Sequence, residues 1–319
     1  MKISYKYTEY VALVRMSVRK HLLVEGKVDR RLFLLLLNTF KYDLHVLDID
    51  TAEELIGYDG AIGNRERVEI ACQSISKLSG NERLIGFVDR EFREFDFIDF
   101  SDKMPRHNTL GRLVWSRGHS IENYYFDYEM LNRPLFEDSD TDYFIGALDL
   151  FKKNLESIIR LACSAGLAGR ETGSLSVVRS SVRWEMFRFE KNQISLDTGQ
   201  WIKILNGMKL TQAKITSIIE SYTNWFNKVQ KSNYEVVRWM CDGHTGMKYI
   251  WAAYGGCVFE VCKQAKYDDP NNQVQKVFRS DEISRFQACA AAWVEKAIGN
   301  QTIYPVEVLR LLDLKPVMN

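Results

Sequence analysis

The run His21-Leu22-Leu23-Val24 passes directly into Glu25-Gly26 and then into the apolar-rich segment from Lys27 to Phe40. A short apolar strand, an acid, a glycine turn and a helix follow one another. Ligand sites in open α/β sheets lie at the carboxyl ends of such strands, so an acid in that place is a candidate for chemistry. The pattern recurs. Leu84-Ile85-Gly86-Phe87-Val88 runs into Asp89 and, two residues on, Glu91. Leu113-Val114-Trp115-Ser116 is followed by Ser120-Ile121-Glu122.

Between these strands the periodicity is helical. Lys27 to Phe40 carries Leu32, Phe33, Leu35, Leu36 and Leu37 on a broad buried face. His45 to Asp50 reads as a second strand, Ala52 to Ile56 as a short helix, and Asn64 as the cap of a helix reaching Leu78. Strands and helices therefore alternate over the first ninety residues, which argues for an α/β fold with a mostly parallel sheet and flanking helices. Residues 92 to 112 read as a polar loop over the strand ends. Beyond about residue 130 the pattern becomes helical, clearest from Thr211 to Lys231. The expected organisation is residues 1–130 as the α/β domain and 131–319 as a mostly helical C-terminal domain.

With 319 residues the chain is long enough for one large or two ordinary domains. A net charge of +1 means that any nucleic-acid surface is a local patch. The best such patch is Arg179 to Lys191, where Arg183 and Arg188 interleave with Trp184, Phe187 and Phe189; cations among aromatics can hold phosphates and stack on unpaired bases. The same pattern also describes an amphipathic element with its aromatics in a core. Arg112 and Arg117 are further candidate phosphate contacts. The six cysteines form no CxxC pair and read as reduced, buried thiols. No apolar run approaches a membrane span, and the first residues lack a signal-peptide order; a cytoplasmic location is expected.

Glu25, Asp29, Asp89, Glu91 and Glu122 would make a convergent set of carboxylates. Asp29 lies one turn after Glu25, and Asp89 and Glu91 alternate along what reads as an extended segment. Such a set without a cation repels itself. Mg²⁺ or Mn²⁺ compensates it, since both prefer carboxylate oxygen. Two such ions would stabilise the attacking and leaving oxygens of phosphodiester cleavage. Each acid also has a plain alternative: Asp29 as a helix cap, Asp89 and Glu91 as a solvated charged turn, Glu122 as a surface acid.

Leu23-Val24-Glu25-Gly26-Lys27-Val28-Asp29 resembles the first motif of Toprim domains, and Phe87-Val88-Asp89-Arg90-Glu91 resembles the Asp-x-Asp motif that follows it. Ser120-Ile121-Glu122 resembles the Ser-x-Glu element of the overcoming-lysogenization-defect (OLD) nucleases. The composite is most similar to the stand-alone Toprim effectors of anti-phage defence, as in the PARIS system. The resemblance implies a metal-dependent nuclease, with Glu25 as general acid/base or metal ligand and Asp29 beside it. Asp89 and Glu91 would hold a second metal, and Ser120 and Glu122 would complete the site. Glu91 departs from the pattern, where aspartate is usual. A downstream lysine stabilises transition-state charge in OLD-type sites; Lys248 is the candidate and His244 its rival. The resemblance further implies a toxic effector that is held by an ATPase partner of the AriA kind and cleaves host tRNA once released. A homodimer when active is a separate expectation, for a nuclease freed from a complex. An OLD-like DNA endonuclease and a catalytically silent Toprim scaffold that binds an ATPase are the alternative readings.

Overall fold

The computed structural model describes residues 5–57, 63–78, 80–105, 108–297 and 306–313. In chain order the first elements are β1 (Tyr5–Lys6), α1 (Tyr7–Met16), β2 (Lys20–Val24), α2 (Lys27–Thr39), β3 (Leu47–Thr51), β4 (Leu55–Ile56), α3 (Asn64–Ser76) and β5 (Leu84–Val88). Then come β6 (Phe95–Asp96), β7 (Ser101–Asp102), β8 (Asn108–Leu110), β9 (Leu113–Trp115) and α4 (Tyr128–Glu137). The later elements are α5 (Phe144–Glu171), α6 (Leu175–Ser181), β10 (Phe187–Glu190), β11 (Gln193–Leu196), α7 (Thr198–Gly207) and α8 (Gln212–Val229). The chain closes with α9 (Tyr234–Met240), α10 (Gly243–Gln264), α11 (Pro270–Val277), α12 (Glu282–Ala297) and α13 (Val306–Leu312).

Two compact units share this chain. The first holds residues 1–90, 104–117 and 293–319; the second holds 91–103 and 118–292. The single cut expected at residue 130 is thus replaced by four crossings, and the last helix returns to the first unit.

The first unit is built on a five-stranded sheet in the order β3-β2-β5-β9-β8. The four strands from β3 to β9 are parallel, and β8 runs antiparallel at the edge. β2 and β5 are buried along nearly their whole length, which explains why they read as continuous apolar runs. Tyr10 and Val14 of α1 and Val68, Ala71, Cys72 and Ile75 of α3 share a core with Leu23, Val88, Leu113 and Trp115. Alternation sends Phe87 to the opposite face, where its ring meets Phe33 of α2 with centroids 5.0 Å apart. Gly86 lets α3 approach β5 closely: a Cβ there would stand 2.5 Å from the Cys72 sulfur and 2.8 Å from Val68.

Several local expectations shift. Residues 52–56 form a 3-10 turn and the short strand β4, not a helix. Asn64 is the first helical residue of α3, and Gly63 is its cap. The glycine-rich loop at 57–63 falls largely outside the described residues.

In the second unit α5 is buried on nearly every side from Ile158 to Gly169, with α10 and α8 packed on it. Buried Asn154 ties the β10–β11 hairpin to this helix, accepting from the Ile194 amide at 2.8 Å and donating to the Asn192 carbonyl at 2.9 Å. α8 begins at its Thr211 cap, close to the expected start. Pro270 opens α11 behind an Asp269 cap. All six cysteines are buried and unpaired. Among the described residues no helix is long and apolar enough to cross a membrane.

Candidate functional site

β2 and β5 are neighbours, with Val24 opposite Phe87. That register brings the residues after both strands to one edge of the sheet. There the Asp89 amide donates to Glu25 Oε1 at 2.7 Å. Gly26 caps α2, and Asp29, at the third helical position, folds back to accept from the Gly26 amide at 3.0 Å. Asp29 is therefore a capping residue, its carboxylate held at the amide that follows Glu25.

Sequence reasoning missed a fourth acid at this edge. Glu53 follows β3, the third parallel strand, and its Oε1 lies 3.1 Å from where a Gly26 Cβ would stand. Its other oxygen is 3.8 Å from Lys27 Nζ. The signal was present, since an acid after an apolar strand was the rule that found Glu25 and Asp89. Reading residues 52–56 as a helix hid it.

Arg90, between the acids, is fully buried. Its guanidinium donates to the carbonyls of Met104 and Arg117 at 3.0 Å each, and its amide donates to Ser116 Oγ at 2.9 Å. Arg117 is thereby held at the same sheet edge. Arg112 is not. It precedes β9, and its Nε and Nη2 donate to the carbonyls of Leu84 and Leu311. Leu84 opens β5 while Asp89 follows its end, a separation of roughly 16 Å at strand rise. The expectation that Arg112 contacts a phosphate at the acid edge is corrected.

Comparison with known proteins finds no family model and no curated protein that matches this chain.

Glu91 belongs to the second unit. Its φ of +50° is left-handed, an uncommon conformation for a residue with a side chain. The segment after Asp89 is therefore not extended, and the expected alternation of Asp89 and Glu91 along one face does not hold. The Glu91 amide donates to the His119 carbonyl at 2.7 Å.

The second unit gathers its own polar cluster around the turn that follows Gly118. Ser120 Oγ donates to Glu122 Oε2 at 2.6 Å, and His244 Nδ1 lies 3.2 Å from Glu122 Oε1. Of the two downstream candidates, His244 is thus the one beside Glu122. Lys248, one turn further along α10, forms an ion pair with Glu282. Behind them Asp242 caps α10 through the Thr245 amide at 2.7 Å and takes both nitrogens of an Arg179 fork. Burial opposes ionisation of Asp242; His119 and Arg179 outweigh it and hold the carboxyl at about 2. Burial also holds the His119 imidazole below the ordinary histidine range, against the pull of Asp242, Glu91 and Glu122. His119 is neutral at pH 7, so Arg179 is the lasting counter-charge.

The patch from Arg179 to Lys191 is engaged internally. Trp184 packs on Phe259 with centroids 4.8 Å apart, and buried Phe187 meets Tyr249 at 5.6 Å. Arg183 donates to the carbonyls of Ser180 and Val182, and Arg188 pairs with Asp197. Trp184 and Phe187 are thus packed on α10 and not free to stack on bases, while Arg183 and Arg188 stay exposed.

Among the described residues no group of three or more histidine, cysteine, aspartate or glutamate side chains stands close enough to hold a metal ion. The acids at the first unit's edge are oxygen donors only, the kind that Mg²⁺ and Mn²⁺ take. A carboxylate offers about four lone-pair sites over two oxygens, so an amide contact and a cation are compatible. Mg²⁺ in particular is bound through one or two carboxylates with water and substrate phosphate completing its shell. In kind, the donor set fits.

Proposed function

We propose that this chain is a metal-dependent nuclease of the Toprim type, resembling AriB, and that it acts as the toxic effector of an anti-phage system. One observation supports this most. Two acids from separate strand ends, Glu25 and Asp89, are held together by a 2.7 Å hydrogen bond at the carboxyl edge of a parallel sheet. Asp29 and Glu53 stand beside them.

In this reading the carboxylates of Glu25 and Asp89 would hold a Mg²⁺ or Mn²⁺ ion, which would supply the positive charge that phosphodiester cleavage needs. Glu25 positions the Asp89 loop and is the candidate general base. Arg117, whose carbonyl is held by buried Arg90, is the proposed phosphate contact. Host tRNA is the proposed substrate and an AriA-like ATPase the proposed partner; both rest on the sequence resemblance.

The experiment is to express the chain in cells, alone and with the ATPase from the same locus, and to run total RNA beside plasmid DNA. Glu25→Ala and Asp89→Ala are the controls. tRNA fragments with wild type that vanish in both variants support the proposal. Nicked plasmid with intact tRNA makes it a DNA endonuclease. Toxicity unchanged by either variant, with both nucleic acids intact, leaves the acids structural and the chain a binding scaffold.

A further inference from the structure

Main-chain pairing of β5 with β9 reaches the Ser116 amide, which donates to the Val88 carbonyl at 2.9 Å. Past that rung the chain turns to side chains for acceptors. The Asp89 amide donates to Glu25 Oε1 at 2.7 Å, and the Arg90 amide donates to Ser116 Oγ at 2.9 Å. Ser116 is itself fully buried. The peptide planes on both sides of the Asp89 Cα are thereby held. Each plane is rigid, and only two soft dihedrals separate them. Holding both planes fixes the direction in which the Asp89 side chain leaves the backbone.

The second plane has a deeper anchor. Arg90 is fully buried, whereas Asp89 before it is only partly so. One guanidinium nitrogen, Nη1, donates to the Met104 and Arg117 carbonyls at 3.0 Å each. Met104 precedes β8 and Arg117 follows β9. A single nitrogen therefore ties both ends of that hairpin to the residue after β5. All of these residues belong to the first unit. A buried cation is costly, and an apolar side chain would fill the same space at less cost. What the guanidinium adds is a set of directional bonds in a fixed fork, and these end one residue from the Asp89 carboxylate.

We propose that Arg90 is a positioning residue: with the Ser116 hydroxyl it fixes the backbone that carries the Asp89 carboxylate, and through it the affinity of the acid edge for a divalent cation. The cation and the kinetic consequence rest on the nuclease reading; the hold of Arg90 on the Asp89 backbone does not.

The test uses the full chain and three variants, each measured well below its melting temperature. Ser116→Ala removes the acceptor of the Arg90 amide, and Arg90→Lys keeps a charge without the fork. Arg112→Met is the control for general loosening, because Arg112 binds the carbonyls of Leu84 and Leu311 at the opposite end of the sheet. The Asp89 amide keeps its Glu25 acceptor in all three, so its hydrogen exchange, read by mass spectrometry, reports how firmly the backbone is held. Exchange there is expected to quicken about tenfold or more in Ser116→Ala and Arg90→Lys and to keep its wild-type rate in Arg112→Met. Titration calorimetry is expected to show Mn²⁺ affinity weakened about tenfold or more in the same two variants and unchanged in the control. In a cleavage assay their kcat is expected to fall with little change in KM. Where Arg90→Lys fails to fold, Ser116→Ala carries the test. An Asp89 amide as protected in the folded variants as in wild type overturns the proposal. So does a Mn²⁺ affinity that Ser116→Ala leaves unchanged, or that Arg112→Met weakens equally. If wild type neither binds Mn²⁺ nor cleaves nucleic acid, the nuclease reading fails, while exchange at the Asp89 amide still decides the hold of Arg90.

Discussion

The amide of Asp89 donates to the Glu25 carboxylate at 2.7 Å, joining residues 64 positions apart. Parallel pairing of β2 with β5 makes this possible, because it ends both strands at one edge. The bond lets structure be separated from chemistry. Glu25→Gln keeps an acceptor for the amide and removes the charge. It is expected to melt within a few degrees of wild type and to lose nucleic-acid cleavage as completely as Asp89→Asn. A Glu25→Gln variant that still cleaves at the wild-type rate would remove Glu25 from the chemistry.

Metal removal gives a second expectation. Cleavage should stop on chelation and return with Mg²⁺ or Mn²⁺, the cations that suit an all-oxygen donor set. Titration calorimetry of Mn²⁺ into wild type and Asp89→Asn should show binding weakened in the variant. Cleavage that persists in excess chelator would count against the proposed chemistry.

Gly86 sits where α3 presses on β5. Gly86→Ala forces a methyl against the Cys72 sulfur, 2.5 Å from the Cβ position, and against Val68 and Leu113. Overpacking of this kind costs about 1–3 kcal/mol. Denaturant melts should show that loss, and Cys72→Ala should return part of it, giving a coupling energy of about 1 kcal/mol in a double-mutant cycle.

Acid should loosen the second unit through Asp242. Its carboxyl is held at about 2, below its ordinary 3.8, so the folded state binds the proton less readily than the unfolded chain. The stabilisation is complete above about pH 4 and is lost as pH falls from there toward 2, amounting to about 2 kcal/mol for a shift of this size. Arg179→Met leaves a buried charge without its fork and should cost about 3–5 kcal/mol at neutral pH. Asp242→Asn keeps a capping side chain and should flatten the acid limb of the stability curve. An unchanged acid limb in that variant would place the titrating group elsewhere.

Much of the first unit was legible in the sequence because the cues were local. Leu84 to Val88 is a buried strand as its composition demands, and the residue after it bonds through its amide to the acid after β2. The same rule reaches Glu53 once β3 is recognised. Arg112 was also decidable, since a residue that precedes a parallel strand lies at its amino end, away from acids that follow the neighbouring strand. Arg183 and Arg188 were not, because cations alternating with aromatics look the same on a half-buried hairpin and on a base-stacking surface. Glu91 failed for a different reason. Its left-handed turn comes with an amide bond to the His119 carbonyl, 28 positions away, which nothing in Asp-Arg-Glu-Phe announces. The bonds from buried Asn123 to the carbonyls of Arg238 and Cys241 are equally non-local.

The return of the last helix to the first unit has a consequence for the order of assembly. Lys20 and Arg112 both bind carbonyls at the end of α13, at Leu312 and Leu311. On a ribosome, the acids of β2 and β5 emerge within the first ninety residues, yet the carbonyls that secure the opposite end of the sheet emerge more than two hundred residues later. The first unit cannot be finished before α13 has been made, and the whole second unit is synthesised in the interval.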